Sequence, residues 1–285
     1  MPFKAVAGAV DIACGVEIPS LGSAGTTVTV ADFRLFIHDV KLVTDEGVEL
    51  DVALDADQLS QSDRVVQLDF RDTVGCVADA DANPNHNNKI IGTVTVDPAL
   101  VIDSVRFTLG VPFDLNHANQ ADAVEPLRNP GLASGAAWAW QAGYKFTGLD
   151  VFPVGGVSRP GDLEWSNTKW NIHLGSTGCA VTTADLVEGE DPLPCAAPNR
   201  VVITLPLGGR NLGDNAAVKI DYAALVETSN LSLDNGLASG CMSGSENPEC
   251  EEIFARLGLP WGENAAVENA ATDNGIFSVV SIPEA

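Results

Sequence analysis

Short apolar runs broken by glycine, proline and asparagine dominate the chain. Thr26–Val30 is β-branched throughout, and Phe33–Val43 (FRLFIHDVKLV) is apolar on both faces. Arg64–Phe70, Ile90–Val96 and Val101–Val111 follow, then Tyr144–Val151, Lys169–Leu174, Arg200–Leu205 and Ala217–Val226. Runs of this length, rich in β-branched and aromatic residues and bounded by turn residues, predict strands. Their spacing predicts an all-β protein, mainly an antiparallel sandwich with long loops and one or two short helices. The best helix is Asn247–Leu257, with an asparagine cap, Pro248 at the first helical position, acids in the first turn and Gly258 after it. Asp122–Leu127 predicts one further helical turn. No internal repeat or long low-complexity linker divides residues 1–285, so one domain is expected, with a loosely packed tail from about 260.

Charge narrows the function. Acidic residues outnumber basic ones 39 to 15, for a formal net charge of −24. Such a surface repels phosphate, which argues against nucleic acids and anionic membranes as partners. No apolar run reaches the ~20 residues of a membrane helix, and Met1–Gly8 lacks the apolar stretch of a signal peptide. The six cysteines, Cys14, Cys76, Cys179, Cys195, Cys241 and Cys250, form no C-x-x-C pair and sit mostly in Gly/Pro-rich loops. That placement suits disulfides in an oxidising compartment, so a periplasmic or secreted protein is expected, its export signal lying outside this sequence. The simplest pairing is sequential: 14–76, 179–195 and 241–250, although six cysteines allow many others.

Four histidines can be weighed singly. His38 lies within a strand, where counting by twos puts it on one face with Phe36, Val40 and Leu42. An apolar setting keeps imidazole neutral and fit for metal, but a core histidine bonded to a backbone carbonyl explains the pattern as well. His117 sits in GVPFDLNHAN, a loop after a strong strand, where function and an ordinary surface histidine are both credible. His173 shares the polar face of WNIHLGSTGC with Asn171. His86, among asparagines, reads as solvated. Its loop places Asp79, Asp81, Asn83 and Asn85 at alternate positions, a weak calcium pattern without the glycine and terminal glutamate of an EF-hand.

Three separated histidines can build a metal site without a local motif, and imidazole suits copper, zinc, iron or nickel. Met242 offers a soft thioether that would favour Cu(I). Trp138 and Trp140 would share one face of a strand, as core packing or as a ligand platform. No G-x-S-x-G elbow is present, the Gly155-Gly156 and Gly208-Gly209 pairs lack a phosphate-loop lysine, and nothing selects a carboxylate pair. No catalytic residue emerges.

Together DFRLFIHDVKL, FTLGVPFDLNH, WAWQAGYKF, IHLGSTGC, CAAPNR and CMSGSENPECEEIFARLGL resemble the MbnP-like family, the four-Cys-motif half of the metallo-mystery pair. The segments stand in the family's order and span most of the chain. The resemblance implies a β-rich periplasmic or secreted copper-binding protein of copper homeostasis, a binder or carrier and not an enzyme. It also implies a partner, a di-haem protein of the MauG/cytochrome c peroxidase type. That partner oxidises the first tryptophan of W-x-W to kynurenine, on which copper binding depends. Trp138 matches that residue and Trp140 the second. The family's recurrent histidines fall on His38, His117 and His173, and its four cysteines on Cys179, Cys195, Cys241 and Cys250, leaving Cys14 and Cys76 as the remaining pair. Indole nitrogen only donates hydrogen bonds, whereas kynurenine carries an aryl amine with a lone pair. Two rival readings stay open: a histidine-only metalloenzyme, and a metal-independent cell-surface module whose tryptophans stack on a glycan.

Overall fold

The computed structural model describes residues 1–72, 76, 86–138, 142–179, 195–212 and 215–282. Thr26–Val30 and Phe33–Val43 are parts of one strand, Thr26–Thr44. No glycine or proline separates them, so the ladder has no reason to stop. One edge of this strand pairs in turn with Ile18–Leu21, Val65–Asp69 and Glu49–Asp51. The other edge pairs first with Thr147–Pro153 and then with Ile102–Leu109, which pairs onward with Val201–Pro206. All these pairings are antiparallel. The change of partner falls at Phe36, whose N–H donates to Phe146 C=O (2.9 Å) and whose C=O accepts from Gly110 N–H (2.8 Å).

The strand also bulges. Against Ile102–Leu109 the register runs His38 to Thr108 and then Lys41 to Arg106, so one extra residue lies between them. Asp39, at φ 51°, takes the left-handed turn there. The bulge resets the period of two. His38 keeps Phe36 on its face, but the face continues through Lys41, not through Val40 and Leu42 as counting predicts.

A second sheet has the order Phe277–Ser281, Ala216–Asp221, Phe3–Ala7, Val10–Asp11, with the middle pair parallel. The two sheets meet through aromatic edges. Phe107 lies 5.8 Å from Phe3 and 6.1 Å from Phe277, and Phe33 lies 6.0 Å from Tyr222. The all-β class is therefore met, as layers packed through a shared apolar interior.

Differences from the expected elements have local causes. Ile90–Val96 contributes only Gly92–Thr93, and Lys169–Leu174 only Asn171–Ile172. The run Ala217–Val226 splits at Asp221, whose carboxylate accepts from Ala223 N–H and caps the helical turn Tyr222–Leu225. The expected helix begins at Cys250 and ends at Leu257, with Gly258 at φ 75° closing it. Asp122–Leu127 forms turns rather than a helical turn. Short helices at Phe113–Asn116, Tyr222–Leu225 and Ala270–Asp273 bring the described helices to four, more than expected. Within the tail expected to pack loosely, residues 262–269 are exposed, but a later part is built into the fold. Phe277–Ser281 is a strand of the second sheet, and Ala271 and Phe277 are buried. The disulfides join Cys14 to Cys76, Cys179 to Cys195 and Cys241 to Cys250, the sequential pairing.

Phe107 is the ring shared by both sheets. Phe107→Ala is expected to lower the unfolding free energy by about 3–5 kcal/mol in urea denaturation. A loss below about 1 kcal/mol would contradict the role assigned to this contact.

Candidate functional site

The change of partner at Phe36 sends two loops outward from one point: Gly110 onward, and the segment that ends at Phe146. Tyr144, on the second of them, has its ring centroid 6.0 Å from that of Phe36, with the rings steeply inclined. His117, Asn116 and Trp138 lie on these loops, and His38 borders them.

His38 is half-buried, and its Nδ1 lies 2.9 Å from Gly110 C=O. A carbonyl only accepts, so Nδ1 carries the proton and Nε2 keeps its lone pair. Burial lowers the ring's pKa below its usual 6.5, and the nearby Arg200 and Arg64 guanidiniums add to this. The Gly110 bond and Asp39 pull the other way. The net effect favours the neutral ring that metal ligation needs. The carbonyl-bonded alternative read from sequence is therefore present at Nδ1, and it presets the tautomer of a potential ligand.

His117 follows the turn Phe113–Asn116 and is 5% exposed, so it is not a surface histidine. Its Nε2 lies 3.0 Å from Asn116 Nδ2 and 3.3 Å from Cys195 Sγ. The orientation of the Asn116 amide follows from its other end. Tyr144 N–H donates to Asn116 Oδ1 (3.0 Å), so Nδ2 must face His117 and Nε2 must accept. Asn116 is fully buried, and a Cβ at Gly143 would stand 2.5 Å from its Nδ2. Sequence reasoning missed Asn116. The signal available was a polar residue between a helical turn and a histidine.

Trp138 is half-buried. Its N–H donates to Gly143 C=O (3.1 Å), and its C=O accepts from Gln120 Nε2 (3.5 Å). The benzo edge of its indole rests on Gly175. A Cβ there would lie 2.3 Å from Cζ3 and 2.8 Å from Cη2. Gly175 is thus required by close approach, and it was also missed. Trp140 lies outside the described residues, as do Asp79, Asp81, Asn83 and Asn85 of the calcium pattern. His86 is exposed, as expected, and Met242 is half-buried beside the Cys241–Cys250 bridge.

His173 follows the strand Asn171–Ile172, which pairs with Gly240–Cys241. The imidazole is buried, and its Nε2 lies 2.8 Å from Asp150 Oδ1 on Thr147–Pro153. Its Nδ1 is buried without a hydrogen-bond partner among the described residues. A carboxylate behind one ring nitrogen, with the other left open, is the arrangement that orients metal-binding histidines.

Among the described residues, His117, Cys179 and Cys195 form a group whose potential ligand atoms lie within 4.8 Å of one another, and the three histidines do not form one. Both cysteines of that group are in a disulfide and are not thiolates. The donors thus fit copper by type, nitrogen-rich with preset tautomers, but each is held by its own neighbours. His38 faces Gly110, His117 faces Asn116 and His173 faces Asp150.

The Trp138–Gly175 contact is directly testable. Gly175→Ala is expected to cost about 1–3 kcal/mol of stability in urea denaturation. Adding Trp138→Ala should recover part of that loss, with a coupling of about 1 kcal/mol or more. Strictly additive effects would contradict the contact.

No curated protein matches the chain. Among solved structures, MbnP from Methylosinus trichosporium is similar, with a TM-score of 0.77 and 27% sequence identity, over 99% of this chain and 97% of that chain. The family model for MbnP matches residues 1–243, a span that contains the partner change at Phe36, all three buried or half-buried histidines and Trp138. The chain belongs to the MbnP family.

Proposed function

We propose that this protein is an extracytoplasmic copper carrier of copper homeostasis whose site is completed after folding. The three disulfides are consistent with an extracytoplasmic location, and no described helix is long and apolar enough to cross a membrane. The observation that carries the reading is the position of Trp138. Its ring packs on the loop that follows His173, and its main chain is tied to the loop that carries Asn116 and His117.

Copper, as Cu(I), is the cargo, and His38, His117, His173 and the oxidised Trp138 are its proposed ligands. Histidine nitrogens and an aryl amine make a donor set suited to copper. His38 offers Nε2 and His173 offers Nδ1. His117 must exchange its Asn116 contact for the metal. The unmatured protein therefore holds its histidines apart, and loading waits on the change at Trp138.

That change is assigned to a di-haem protein of the MauG/cytochrome c peroxidase type acting with peroxide. Cleavage of the indole C2–C3 double bond takes up two oxygen atoms, from two peroxides that leave as two waters. Hydrolysis of the resulting formamide takes one water and releases formate, leaving the ketone and the free amine. The benzo ring survives, so the packing on Gly175 survives with it. The net charge of −24 suits docking to a basic surface on that partner.

Cu(I) affinity of the protein co-expressed with its partner, measured by competition with a chromogenic chelator, tests the ligands. His38→Ala, His117→Ala and His173→Ala are each expected to weaken binding by about tenfold or more, and Trp138→Phe to reduce it to the unmatured level. Unchanged affinity in the single histidine variants, with circular dichroism intact, would overturn the ligand assignment.

A further inference from the structure

A second polar cluster lies away from the loops of Trp138, in the segment Asp234–Glu249. Asp234 is fully buried, Asn247 is 2% exposed and Glu249 is 8% exposed. Each presents one oxygen with a defined partner and one without, except Asn247, whose partnered atom is nitrogen. Asp234 Oδ1 receives Arg159 Nε (2.8 Å) and Gly236 N–H (3.0 Å), and Arg159 Nη2 also stands 2.7 Å away. Glu249 Oε1 receives Asn235 N–H (2.6 Å) and Asn235 Nδ2 (3.1 Å). Asn247 Nδ2 donates to Ala238 C=O (3.1 Å), which fixes the amide and turns its oxygen the other way. Asp234 Oδ2, Glu249 Oε2 and Asn247 Oδ1 are all buried without a hydrogen-bond partner among the described residues.

Three buried acceptors without donors require an explanation, since each forfeits its hydration for nothing in return. Two of them are carboxylates, and among the described residues Arg159 pairs with one, Asp234. The Glu249 carboxylate is anchored on Asn235, the residue next to Asp234, and Asp234 is close enough to push the Glu249 carboxyl pKa upward, adding to the effect of burial. The missing group is positive. A hard cation satisfies oxygen donors of this kind, and two carboxylates with an amide oxygen suit calcium better than magnesium, which keeps its own waters.

We propose that Asp234, Asn247 and Glu249 bind one calcium ion. The site rests on different residues from the copper proposal and does not depend on it. It has a structural consequence for the same molecule. The segment it closes is stapled by Cys241–Cys250, and it carries Ser243, whose hydroxyl donates to His173 C=O (2.9 Å) and accepts from Gly175 N–H (3.0 Å). Calcium would therefore stiffen the support under the loop on which Trp138 packs.

The test uses the full chain with its disulfides intact, stripped by a chelator and free of copper. Titration with calcium chloride by calorimetry is expected to show one ion per chain and a raised Tm, with magnesium at least about tenfold weaker. Glu249→Gln keeps an oxygen for Asn235 and is expected to weaken calcium binding about tenfold or more, with circular dichroism unchanged. No uptake by the stripped wild-type protein overturns the proposal, as does calcium affinity unaltered by Glu249→Gln. If that variant does not fold, the wild-type titration decides alone. A stripped protein whose Tm ignores calcium, and whose Glu249→Gln variant is the more stable, would assign a buried proton instead and also overturn it.

Discussion

In an antiparallel sheet a residue's N–H and C=O both point to one edge, so a long strand can serve two partners on the same edge only by passing from one to the other. Thr26–Thr44 does this at Phe36, where Phe146 and Gly110 take the two main-chain bonds of a single residue. Both partner strands must leave the sheet at that point. Their loops are thereby anchored on a shared backbone position, with His38 two residues on and facing Gly110 C=O. The rest of the site follows from this constraint. Asn116 and Tyr144 meet because their loops start together, and Trp138 reaches Gly175 because Phe146 N–H is bound to Leu174 C=O beside it (2.6 Å).

The polar contacts at the site fix each histidine ring in place. His38, His117 and His173 each have one ring nitrogen against a fixed oxygen, amide or carboxylate. For His38 and His173 this sets the tautomer and leaves a lone pair. For His117 it engages the lone pair itself. On the proposed ligand set, metal capture would require the Asn116 contact to be exchanged and a fourth donor to exist. Indole is a donor-only group and cannot be that ligand. Oxidising it changes the chemistry of one side chain while leaving its six-membered ring against Gly175, so conversion needs little rearrangement of the packing.

Much of this was legible in the sequence, for physical reasons. Strand positions followed from β-branched runs, the helix Cys250–Leu257 from its acids and Gly258, and the disulfides from loop cysteines in order. The face of His38 was misread beyond Asp39 because a bulge adds one residue, and a period of two cannot see it. The terminal strands Phe3–Ala7 and Phe277–Ser281 were missed because short runs in alanine- and serine-rich surroundings acquire strand identity only from their neighbours. Asn116 and Gly175 act through contacts between segments distant in the chain. One is a buried amide oriented by Tyr144, the other a glycine selected by the width of an indole edge. Neither leaves a pattern that spacing can reveal.

The central claim is that Trp138 becomes a ligand only through its partner. Peptide mass spectrometry across Trp138 and Trp140, with and without the di-haem protein co-expressed, tests it most directly. Conversion to kynurenine adds one oxygen and removes one carbon, a gain of about 4 Da. The account predicts that gain at Trp138, only in the co-expressed protein, and copper in the same preparation. Unmodified Trp138 in a co-expressed preparation that nonetheless holds copper would contradict it.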